Sequence, residues 1–177
     1  MDSAALKDVA ALKRNIKQVN PGAVIIEGNS PIRVDHPEMV TGKRVLVVED
    51  GPTLTHGGMK FGAGTVVSHN LKAKQLVDPG PYLVGDLKKT FDKYPEIGIL
   101  LPAMGYGEKQ LSDLEDTINS TDCDSVVIGT PIDLSRVIHI RKPHTRAYYE
   151  LEEIGKPDLN DIMDEFLKNK FRDKVRQ

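Results

Sequence analysis

The chain has 177 residues, 39% strictly hydrophobic and 28% charged, a balance inside the range of globular domains. Its 24 basic and 26 acidic side chains nearly cancel to a net charge of −2, which leaves no field able to gather nucleic acid or an anionic membrane surface. The lone Cys123 excludes an intramolecular disulfide and a multi-cysteine zinc site, and no apolar run reaches the about eighteen residues that cross a bilayer, so a cytoplasmic setting is expected.

Leu6, Val9, Leu12, Ile16 and Val19 recur at three- and four-residue spacing behind Ser3, a good N-cap, and predict an amphipathic helix that Pro21-Gly22 ends. Short apolar runs at 23–26 and 45–48 predict strands buried on both faces, as in a parallel sheet. A Gly-rich loop leads to a helix over about 60–73 and a short strand at 75–77. A helix at 86–93, a strand at 97–101, a helix at 108–118 and a strand at 125–128 continue the alternation. Residues 147–153 are expected to supply an edge strand, and the tail from Asp158 to form a docked helix. This order predicts an α/β fold, a three-layer Rossmann-like sandwich with a mostly parallel sheet and right-handed crossovers.

In open α/β sheets ligands bind beyond the carboxyl ends of the strands. The run at 45–48 leaves through Glu49-Asp50-Gly51-Pro52-Thr53-Leu54-Thr55-His56-Gly57-Gly58-Met59-Lys60-Phe61-Gly62-Ala63-Gly64. Glycines let backbone amides approach a ligand closely, and a following helix aims its positive end at the same place. The loop is therefore expected to cradle phosphate: Gly57, Gly58, Gly62 and Gly64 through their amides, Thr53 and Thr55 through hydroxyls, and Lys60 through its charge. Glu49 and Asp50 are candidate magnesium ligands, and Lys60, His56 and Asp50 candidate catalytic groups. The other strand exits carry Gly105, Gly107, Gly129 and Thr130, which are expected to line the same edge. Arg136, Arg141 and Arg146 either clamp a second anionic group or are simply solvated.

The stretches VLVVEDGPTLTHGGMKFGAG, LPAMGYGEKQLSDLEDTINSTDCDSVVIGTPIDLSRVI and YYELEEIGKP resemble the C-terminal part of the cyclic 2,3-diphosphoglycerate synthetase family, also described as predicted GTPases. The resemblance implies an ATP- and magnesium-dependent enzyme that closes a phosphoanhydride within 2,3-bisphosphoglycerate. It also implies that residues 1–42 are the end of a P-loop-type domain, 43–157 an α/β phosphate- and substrate-binding domain and 158–177 a C-terminal helix. Met1-Asp2-Ser3-Ala4 resembles the end of an Asn-Lys-x-Asp segment, in which Asp2 would face the nucleotide base. No Gly-x-x-x-x-Gly-Lys-Ser/Thr occurs in the chain. The expected function is thus the C-terminal portion of such a synthetase, inactive without its P-loop half. The alternative is a non-catalytic module that binds an anionic metabolite or nucleotide. Expected partners are a small phosphorylated metabolite and a nucleotide, with self-association or a separate P-loop subunit to complete the assembly.

Overall fold

The computed structural model describes residues 4–56 and 59–172. Asp2, Ser3, Gly57 and Gly58 lie outside the described residues. The chain forms two compact units, one from residues 1–31 with 150–177 and the other from residues 32–149. The boundaries expected from the sequence fall at 42 and 157, inside the second unit and inside the first.

The second unit holds a six-stranded sheet, built from β2 (Ile32–Val34), β3 (Arg44–Asp50), β4 (Gln75–Leu76), β5 (Leu101–Ala103), β6 (Ser125–Gly129) and β7 (His144–Tyr149). Its order is β2-β7-β6-β3, after which β4 and β5 share the remaining edge of β3 in succession. Every pairing is parallel except β2 on β7, so the expected sandwich with a mostly parallel sheet is what the chain forms. Pro102 sits in β5, where pairing to β3 alone leaves one side without a ladder bond to lose.

Alternation along β3 sorts the core. Leu46 and Val48 pack with Leu101, Val126 and Ile128 under α4 (Asp86–Lys93) and α5 (Glu108–Ser120), through Leu87, Leu114 and Ile118. Val45 and Val47 face the opposite way, onto Leu54 of α2 (Gly51–Thr55) and Val67 of α3 (Ala63–Asn70). Each such side chain is worth about 1.5–3 kcal/mol on burial, and Leu46, Val45 and Val48 are fully buried. The same alternation carries the next two residues, Glu49 and Asp50, to opposite faces.

Four expectations need correction. The helix placed at 60–73 is α3 alone, starting after Gly62, and α2 precedes it where Asp50 caps a turn set by Pro52. The strand placed at 97–101 begins at Leu101, because Gly98 adopts a left-handed φ of +68 and breaks the extended run. The edge strand placed at 147–153 is two strands, and β7 lies inside the sheet between β6 and β2. The strand placed at 23–26 forms no ladder; the pairing begins one residue later.

That pairing belongs to the first unit, where β1 (Glu27–Asn29) lies antiparallel to β8 (Glu152–Ile154) beside α1 (Leu6–Val19) and α6 (Leu159–Arg172). Lys13 of α1 pairs with Glu27 at the start of β1. Among the described residues no helix is long and apolar enough to cross a membrane.

Candidate functional site

Glu49 is 1% exposed although it carries a carboxylate. Position 49 continues the buried line Val45, Val47, so the strand delivers the acid onto the start of α3 rather than to solvent. One carboxylate oxygen accepts from the Thr65 amide at 2.7 Å and from the Thr65 hydroxyl at 2.8 Å. The amides of Gly62 and Gly64 add further bonds. Three glycines enclose the group: a β-carbon at Gly62 would come within 2.6 Å of the carboxyl carbon, and one at Gly129 within 2.7 Å of the Gly64 nitrogen. A Gly64 β-carbon would crowd Val47 at 2.9 Å. The loop is thus a ring of donors around an anion, and the anion is the protein's own side chain. Burial raises the Glu49 pKa, and the bonds from Thr65, Gly64 and Gly62 oppose the shift without cancelling it.

Asp50, on the other face, caps α2. Its side chain accepts from the Thr53 hydroxyl at 2.8 Å and the Thr53 amide at 3.3 Å. Gly51 fits against Ala103 and Met104, which a β-carbon would meet at 2.5 and 2.8 Å. This close approach brings the β3 and β5 exits together. Tyr106, just past β5, has its pKa raised by burial and, secondarily, by the Asp50 carboxylate. Thr55 donates to the Gly51 carbonyl at 2.9 Å, and its oxygen lies 2.7 Å from His56 Nδ1. His56 is exposed, with its ring 6.1 Å from that of Tyr94.

Beyond β6, Thr130 is buried and its hydroxyl turns inward to the Ile132 carbonyl. Asp133 accepts from the Ser135 hydroxyl at 2.7 Å and the Ser135 amide at 3.1 Å, which hold its pKa below the ordinary range, with smaller help from Arg136 and Arg146. Arg146, reaching over from β7, donates to the Pro131 carbonyl at 2.8 Å. Its Nε is buried and has no acceptor among the described residues. Gly105 and Gly107 pack on the Gln110 side chain at the start of α5, and Gln110 accepts from the Gly107 amide at 3.4 Å.

The candidates therefore separate into three groups. Gly62, Gly64 and Gly129 surround Glu49. Asp50, Thr53, Thr55 and His56 form one continuous strand-to-helix turn beside Tyr106. Gly105, Gly107 and Thr130 shape the neighbouring exits. Lys60 is exposed, as are Met59 and Phe61 on either side of it. Glu49 and Asp50 leave the strand on opposite faces, one tied to α3 and the other to α2, so they do not converge on one ion. Among the described residues no group of three His, Cys, Asp or Glu could hold a metal. Glu49, enclosed by the Thr65, Gly62 and Gly64 donors, is committed within the protein, which leaves Asp50 as the carboxylate of the expected pair that could face magnesium. Sequence reasoning passed over Thr65, Tyr106 and Gln110. The available signal for the first was an acid standing in the apolar register of β3 one turn of chain before paired glycines.

No protein-family profile matches the chain, and no solved structure does. A curated protein of Thermococcus kodakarensis, "Arginine synthetase ArcE", is 53% identical over 169 residues, which make up 96% of this chain and 38% of that protein. The chain thus spans well under half the length of the curated relative it matches. This finding overturns the expected cyclic 2,3-diphosphoglycerate synthetase activity and the name attached to it. The distinctive blocks, Thr-His-Gly-Gly-Met-Lys among them, belong to a chain whose strong relative bears another enzyme's name. They mark a shared architecture, and architecture does not fix the substrate.

Proposed function

We propose that the chain is part of an enzyme that makes arginine. The observation that carries this reading is the 53% identity to arginine synthetase ArcE over nearly the whole chain. Identity of that extent over nearly the whole chain supports a shared backbone. A cytoplasmic location is part of the same proposal.

We assign substrate contact to the carboxyl edge of the parallel sheet, at the β3, β5 and β6 exits. An amino acid presents an α-carboxylate and an α-ammonium group a few ångströms apart. Arg146, with a buried N–H that lacks an acceptor among the described residues, suits the carboxylate, and the adjacent Asp133 suits the ammonium group. His56, its ring oriented by the contact between Nδ1 and the Thr55 hydroxyl, suits transfer of a proton at the reacting nitrogen. The Glu49 ring holds the α3 end of this edge rigid, leaving Asp50 and Tyr106 to shape the floor. No step is routed through magnesium.

The test is to place this chain in ArcE in exchange for the matched segment and to measure arginine formation. Arg146→Ala is expected to raise KM for the amino-acid substrate at least tenfold, and His56→Ala to lower kcat at least tenfold. Lys72→Ala, on the far side of α3, should change neither. Full activity in both of the first two variants would remove the site assignment.

A further inference from the structure

Every fully buried apolar side chain among the described residues lies between Val40 and Ala147. Among its described residues, the unit formed by residues 1–31 and 150–177 therefore has no buried apolar side chain. Its sheet is two strands of three residues, and an isolated two-stranded sheet is marginal in water. Its helix α1 has fourteen residues, a length at which an unsupported helix is also marginal. Yet α1 is clearly amphipathic. Val9 and Ile16 are half-buried, and Leu12 and Val19 along the same stripe are 60% and 88% exposed. Helix α6 repeats the pattern, with Ile162 half-buried and Leu159, Met163 and Phe166 about half exposed beside it. Two apolar stripes on elements too small to stand alone describe a surface made to be covered.

The occupant follows from the extent of the likeness. The larger part of ArcE lies outside the match, which takes up 38% of that protein. A second copy of this chain is the competing cover, distinguished by its dependence on concentration. We propose that the apolar faces of α1 and α6 are the docking surface for a polypeptide segment homologous to the part of ArcE beyond the match. The inference draws on the extent of the likeness and not on the arginine chemistry.

Cysteine accessibility tests it. Leu12→Cys and Arg14→Cys are made separately in a Cys123→Ser background, once in this chain alone and once with the chain placed in ArcE. Maleimide labelling at position 12 is expected to be at least tenfold slower in the ArcE context, with position 14 labelling alike in both. Amide exchange of α1 in the two unsubstituted proteins provides the same comparison without a mutation, and should slow at least tenfold. Equal labelling and exchange in both settings would overturn the proposal. So would protection that is already present in the chain alone and grows with its concentration, since the cover would then be a second copy.

Discussion

The Glu49 carboxylate stands where an external anion was expected, and several consequences follow from its enclosure. A methyl group at Gly129 has no room between the Gly64 nitrogen and the carboxylate. Gly129→Ala should cost about 1–3 kcal/mol of stability through overpacking, read as a lower denaturant midpoint with an unchanged slope. Thr65→Val removes a hydroxyl donor from a buried charge and should cost about 1–3 kcal/mol. The pH dependence has a definite sign. Because burial holds the Glu49 pKa above its ordinary value in the folded protein, the unfolded chain releases this proton first as pH rises. Stability therefore falls across the window from the ordinary glutamate range up to the folded value. Glu49→Gln should flatten that part of the profile, and an identical slope in the variant would contradict the burial argument. The glycines were legible in the sequence as places of close approach, and so was the helix N-terminus behind them. What the sequence left open was which anion approaches. That depends on whether position 49 falls on the α3 face, a matter of strand register decided by the core contacts of Val45 and Val47.

At the scale of elements, the helices flanking the sheet are fixed by their ends. Asp50 caps the five-residue α2 through Thr53; Asp50→Ala should lower stability by about 0.5–2 kcal/mol, and Asp50→Ser should recover much of it. Helix α4 is held to α5 by Lys109, which donates to Asp86 at 2.7 Å and to Asp113 at 2.9 Å, while Asp113 accepts from the Asp86 amide at 2.9 Å. Lys109, helped by Lys89, keeps the Asp86 carboxyl down at about 2. Lys109→Ala should raise that midpoint toward the ordinary 3.8, with Lys89 still holding it below, as followed by NMR titration. This pair contributes above the ordinary aspartate range and is lost as pH falls through about 2. Long periodic segments, α1 and α5 above all, were readable from spacing, because an amphipathic stripe over thirteen or fourteen residues has one geometric solution. The short strands were not. Three-residue β2 and β5 carry too few positions to show a period, and pairing to β7 and β3 decides where they start and stop.

For the whole molecule, the architecture was read from the alternation of elements and the activity was not. The mostly parallel sheet and the exits of β3, β5 and β6 on one edge follow from β-branched runs and Gly/Pro punctuation that many chemistries share, whereas the place of β7 inside the sheet does not. The proposed substrate contacts, Arg146 and Asp133, are separated in sequence and come together only when β7 inserts beside β6. Their meaning changes with the enzyme to which the chain is related, and the relative of 53% identity is an arginine synthetase. The most direct trial of that reading is mass-spectrometric detection of arginine made by folded ArcE whose matched segment has been exchanged for this chain. Arginine accumulating at a rate within tenfold of the unmodified enzyme is the result predicted. A folded, monodisperse exchange protein that forms no arginine above the blank, beside an active unmodified enzyme, would contradict it.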